Sequence, residues 1–233
     1  MSERFVLGAY WGARSESVER CADRLHKFLT GIRDSHQSLS HWYQKAASPK
    51  KSLQKSLGSF ETQSLVRILL GGRNRENVNR TVSEDLGFHL EFWNGQKGDA
   101  QASVGLTCGL YWQSATPGIS VSNCVVLDLP KDLGILASWQ TMSQLLTVTA
   151  EAWQPDWAGV MSESSMLSRN FDAEVPFVDW MVYVPYKVEG VTEPAFVSEL
   201  AGFGSIIVVR PNPPSVDDVE SSALVSSIES VLK

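Results

Sequence analysis

The sequence predicts an α+β fold, a mixed, largely antiparallel sheet packed with amphipathic helices, on three observations. Phe88, Leu90 and Phe92 alternate with His89, Glu91 and Trp93, and Val104, Leu106, Cys108 and Leu110 alternate with Ser103, Gly105, Thr107 and Gly109. That period of two marks half-buried strands, and the turn composition of NGQKGDAQ between them closes an antiparallel hairpin. Val18, Cys21, Ala22, Leu25, Phe28, Leu29 and Ile32 recur instead at the spacing of one helical face. Val178 to Val184 is apolar with little alternation, as suits a central strand covered on both faces. No repeat and no long linker interrupts the 233 residues, so one domain over 1–233 is expected.

The elements follow in order. Phe5-Val6-Leu7 reads as a strand that Gly8 and Gly12 stop and turn, leaving Tyr10-Trp11 to lock the next helix onto the sheet. Ser15 or Ser17 caps that helix, which spans about 16–34, with Glu16 and Glu19 at its positive end. A short helix is expected around Leu39 to Lys45. The stretch QKAASPKKSLQKSLGS, residues 44–59, carries four lysines and no acid, and reads as an exposed basic connection. SLVRILLGG is a helix or strand stopped at Gly71-Gly72 before Arg73, Arg75 and Arg80. After the hairpin, NCVVLDLP at 123–130 is a strand ended by Pro130. Trp139, Met142, Leu145, Leu146, Thr149, Ala152 and Trp153 form the stripe of a long helix that Pro155 stops. WAGVMS at 157 and SIIVVR at 205 add strands. Ser215 and Asp218 resemble a capping box for a last helix burying Val219, Leu224, Ile228 and Val231.

Composition narrows the function. The net charge of −6 hides an asymmetry: residues 1–100 hold 15 Lys or Arg against 11 Asp or Glu, and the remainder 5 against 15. An acidic half of that size argues against nucleic acid as a direct partner, because phosphate binding needs clustered Lys and Arg. It suits a basic protein. No apolar run approaches the roughly 18 residues needed to span a bilayer, and the start MSERFVLG lacks a signal-peptide core, so a cytoplasmic location is expected. Cys21, Cys108 and Cys124 lie in apolar-periodic segments and read as buried thiols.

Familiar catalytic patterns are missing. There is no CxxC, HExxH, calcium loop or GxSxG, and the double glycine lacks the Lys-Ser/Thr of a phosphate loop. GISVSN around Ser120 lacks the second glycine of a nucleophile turn. His36 and His41 are spaced unlike the two ligands of a helical zinc site, and His26 reads as a helix-edge residue. Asp156 and Glu163 in PDWAGVMSES invite comparison with nuclease metal acids, but the next lysine is Lys187. Asp172 and Glu174 have the residue types of an acid-base pair, which spacing alone does not establish. Eight tryptophans remain, several at element ends. Trp11, Trp42 and Trp180 read as core, whereas Trp153 and Trp157, crowded by acids, read as interface anchors.

YWG at 10–12, the helix carrying CADRL, HWY at 41–43, LLGGRNR at 69–75, LGFHLEFWNG at 86–95 and the late DW/VYV strand together resemble immunity protein family 52 of bacterial polymorphic toxin systems, over about residues 5–210. The resemblance implies a single immunity domain without enzymatic activity. It also implies that the protein binds and neutralises a type VI secretion toxin, a restriction-endonuclease-like DNase, to protect the producing cell and its kin. No catalytic residue, metal or cofactor is implied, and no contact residues carry over. A nuclease needs a basic groove that an acidic surface can occupy, so the toxin-binding candidates are Asp156, Glu163, Asp172, Glu174, Trp153 and Trp157. Two alternatives stand beside this: a hydrolase or toxin-modifying enzyme using acids near Asp156, and an adaptor that docks the toxin on its secretion apparatus.

Overall fold

The computed structural model describes residues 3–75, 81–112, 123–214 and 220–232. The chain opens with β1 (Phe5–Trp11) and α1 (Val18–Ser35), then β2 (Tyr43–Gln44), α2 (Pro49–Ser52) and α3 (Thr62–Gly71). The hairpin β3 (Phe88–Trp93) and β4 (Ser103–Cys108) precedes β5 (Asn123–Asp128), α4 (Trp139–Trp153), β6 (Trp157–Ser162) and α5 (Glu163–Ser168). β7 (Met181–Val184), β8 (Phe196–Leu200), β9 (Gly204–Val208) and α6 (Glu220–Val231) complete it. Among the described residues the strands form one open sheet, ordered β2-β3-β4-β5-β1-β6-β7-β9-β8, in which every neighbouring pair is antiparallel.

The first strand is the central one, held between β5 and β6. Its alternation divides the core. Leu7, Ala9 and Trp11 face a layer built by α1, α3 and α4, whose Leu25, Phe28, Leu65, Leu145 and Leu146 are buried with them. Tyr10 faces the other way, with Trp157, Met161, Val182, Val184 and Ile207, under a second layer supplied by Phe177, Val178 and Ile228. Burial of both sets of apolar side chains is the dominant favourable term for the fold. β7 is covered on both faces as expected, Met181 and Tyr183 belonging to the first layer and Val182 and Val184 to the second. It lies third from the β8 edge, not at the centre.

Gly8 does not stop the strand. It pairs with Val126 and Gly159, and a Cβ there would lie 2.5 Å from the Tyr10 hydroxyl. Its missing side chain lets the Tyr10 ring lie along the strand over it. Likewise, Gly31 brings α1 against α4: a Cβ would sit 2.4 Å from Cγ1 of Val148. Ser17 proves to be the cap of α1, its Oγ accepting from the Arg20 amide at 3.2 Å.

Other differences are local. The helix expected around Leu39 to Lys45 is a 3-10 turn at Gln37–Leu39, and Tyr43–Gln44 pairs instead with Trp93 and Phe92, while on its other side the Gln44 amide donates to the Lys55 carbonyl at 3.0 Å, so the extended backbone finds partners on both sides. Within the basic connection Lys45, Lys50, Lys51 and Lys55 are exposed, while Ser52 and Leu57 are buried. β8, half exposed at the edge, has no clean alternation and escaped the sequence reading. The capping pair Ser215/Asp218, Val219, Arg80 and Ser120 lie outside the described residues. Cys21 and Cys108 are buried and Cys124 is half-buried, all as free thiols. The fold brings Cys21 and Cys108 together: a hydrogen bond that the protonated Cys108 thiol makes to Cys21, and then burial, push the Cys108 thiol well above its usual range.

Candidate interaction surface

β6 separates two of the candidate acids. Asp156 immediately precedes the strand, where its amide donates to the Tyr10 carbonyl and its Oδ2 accepts from the Gly12 amide, both at 2.9 Å. Its carboxylate is therefore fixed, though exposed, where β1 leaves the sheet. Glu163 immediately follows the strand, its amide donating to the Arg4 carbonyl at 2.9 Å. It borders a depression of about 380 Å³ shared with Arg4, Asp99, Asp128 and Lys131. The seven residue steps across β6, at about 3.3 Å each, put the two acids roughly 23 Å apart along the chain, too far to hold one metal ion or act on one bond.

The other two acids come to the Asp156 end. The Phe171 ring lies 5.4 Å from Tyr10 and 6.1 Å from Trp157, and the Trp157 indole N–H donates to the Ala173 carbonyl at 2.8 Å. Because Trp157 adjoins Asp156, that bond carries residues 172–174 over the start of β6. Asp172 Oδ1 then accepts from the Glu174 amide at 2.9 Å, fixing the turn between them. Asp156, Asp172 and Glu174 are all exposed, Asp156 beside Gly12 where β6 begins and the other two on the segment that the Trp157 indole holds; Glu163 follows the far end of β6.

The two tryptophans proposed as interface anchors are corrected by burial. Trp153 is inaccessible, stacked on Trp11 at 5.4 Å with 20° between the planes, and Trp157 is stacked on Tyr10 at 4.8 Å. Element ends on this sheet are where helices and loops cross the strands, so the volume there is large and an indole fills it. Neither ring is presented to a partner. Trp11, Trp42 and Trp180 are buried, as expected.

Beneath the Asp156 end lies a charged network that the sequence reading missed. Arg24 Nε pairs with Glu16 Oε1 at 2.7 Å and Arg14 Nε with Glu16 Oε2 at 3.3 Å. Arg24 also donates to the Ala152 carbonyl at 2.8 Å, and Arg14 to that of Trp153 at 2.7 Å. Two guanidinium groups thus satisfy the last carbonyls of α4 at the negative end of its dipole. Burial lowers the Arg14 pKa from its usual value, against the raising effect of Glu16. A signal was available: Arg24 falls inside the apolar stripe of α1.

Among the described residues no three His, Cys, Asp or Glu side chains converge as metal ligands. His36 and His41 border one depression, but each ring nitrogen Nδ1 is taken by a serine hydroxyl, of Ser38 and Ser40, at 2.7 Å. His26, at the helix edge as expected, bonds through Nδ1 to the Phe60 carbonyl at 2.8 Å. No described helix is long and apolar enough to cross a membrane.

The family model of immunity protein 52 matches residues 3–233 of the chain. None of the curated proteins matches it. Among solved structures it is similar to the Pseudomonas aeruginosa T6SS protein PA0821, with a TM-score of 0.53 and 14% identity, over 99% of this chain and 72% of that one. At that identity the likeness is one of fold.

Proposed function

The chain belongs to the immunity protein 52 family, and we propose that it protects its cell by binding a type VI secretion toxin, a restriction-endonuclease-like DNase, in the cytoplasm. The carrying observation is that Asp156, Asp172 and Glu174 are exposed carboxylates on backbone fastened to the start of β6, Asp156 through the Gly12 amide and the other two next to the Ala173 carbonyl that holds Trp157. A DNase must present Lys and Arg to phosphates, so an acidic surface of fixed geometry competes for that face. Opposite charge also speeds encounter, to on the order of 10⁸ M⁻¹s⁻¹ at low salt, which matters when free toxin is lethal. The protein acts by occlusion in this reading: Asp156 and Glu163 stand too far apart to share a catalytic step, and the binding residues make and break no bonds.

Co-expression with the toxin encoded beside it tests the proposal. Growth should be rescued, and a catalytically inactive toxin should co-purify with the protein. A toxin that kills despite co-expression, or that degrades no DNA, would overturn it. Lysine at Asp156, Asp172 and Glu174 should slow association and weaken its dependence on salt, and unchanged kinetics would place the contact elsewhere.

A further inference from the structure

Burial of Trp153 and Trp157 leaves the acidic surface without the apolar anchors that a tight interface needs, and the structure offers others. Leu167, at the end of α5, is 77% exposed, the most exposed large hydrophobic among the described residues, and Val175 is 55% exposed. Both belong to the segment 163–178 that also carries Glu163, Asp172 and Glu174. Its backbone is fastened from beneath. Ser162 caps α5, and the Asp179 carboxylate accepts from the Ser162 amide at 2.6 Å and the Ser165 hydroxyl at 3.1 Å. The Phe171 amide donates to the Met166 carbonyl at 3.1 Å, while its ring packs against Tyr10 and Phe177.

Arg169 ties the two ends together. It donates to the Val178 carbonyl at 2.7 Å, lies 4.3 Å from the Phe177 ring centre and pairs with Glu229. Leu167 precedes Arg169 by two residues and Val175 precedes Phe177 by two, so this contact fastens the backbone close to both exposed apolar side chains. Arg169 is also the segment's single base, and it is engaged within the fold. What faces outward is two apolar side chains among carboxylates, on backbone that is already ordered.

We propose that segment 163–178 is the seat of the toxin, with Leu167 and Val175 as anchors and a basic face of the toxin as occupant; this rests on the functional reading above. Exposed apolar groups held in place bind without a further ordering cost. Their acidic rim complements a phosphate-binding surface. A second copy of this chain would bring the same acids against them and be repelled.

The test uses the full-length protein and the toxin encoded beside it, inactivated in its own active site. Leu167→Ser with Val175→Ser should weaken binding about tenfold or more, through faster dissociation, with the denaturation midpoint unmoved. Ile135→Ser, at a 66% exposed leucine-like position in the turn before α4, should bind as the parent does. Parental affinity in the double variant, or an equal loss in the Ile135 variant, overturns the anchor assignment while leaving the functional reading intact. A dimer of the isolated protein that the double substitution dissociates overturns it in favour of self-association. Absence of binding by the unmodified protein overturns the functional reading itself.

Discussion

Tyr10 and Trp11 are adjacent in β1, yet each stacks on a different tryptophan across a different face of the sheet. Trp11 meets Trp153 beneath α1 and α4, two long capped helices that pack closely at Gly31. Tyr10 meets Trp157 beneath a six-residue helix, an irregular segment and α6. One layer is regular and deep, the other thin and built by single residues such as Phe171 and Asp179. The difference separates a layer built for stability from one whose outer surface the proposed reading uses for recognition. A regular layer shares its burial among many side chains, whereas a thin one can be reshaped by a few and leaves its upper surface open to a partner.

Four experiments would sharpen or break that contrast. Trp153→Ala opens a cavity in the regular layer and should cost about 3–5 kcal/mol in denaturant unfolding, with an unchanged slope; a loss below about 1 kcal/mol would deny the layer its structural role. Gly31→Val drives a side chain into Val148 and should cost about 1–3 kcal/mol by the same measurement. Phe171→Ala, half-buried, should cost roughly 1–2 kcal/mol. Hydrogen exchange should speed up in residues 164–175 and stay unchanged in α1 and α4; uniform acceleration would show that the two layers open as one unit.

The smallest effect is a pH dependence. Burial raises the Asp179 pKa above 3.8, against hydrogen bonds from Ser162 and Ser165 that lower it. The protonated acid is therefore favoured by the folded chain. Its contribution is complete below the unfolded pKa and is lost as pH rises through the folded one. Asp179→Asn should remove that loss, so its stability relative to the parent should rise with pH above about 4. Denaturation midpoints from pH 3.5 upward check the sign, and a relative stability that falls with pH would contradict it.

The sequence by itself determined the periodic parts. The stripe from Val18 to Ile32, the hairpin alternation around NGQKGDAQ and the apolar run at 178–184 all reappear as α1, β3–β4 and β7, because periodicity is a property of neighbours along the chain. It also held the excess of acids after residue 100. Elements without a period were less legible: β8 has none, and Gly8 looks like a break until the Tyr10 ring is seen above it. The candidate site divided in the same way. Asp156, Asp172 and Glu174 were visible as acids, but the Trp157–Ala173 bond and the Phe171 ring contacts that hold 172–174 against the start of β6 were not. Trp153 and Trp157 look identical to exposed anchors in one dimension; Trp11 and Tyr10 bury them in three. Which side chains are left at the surface depends on distant segments that cover the rest, and no local pattern records who those neighbours will be.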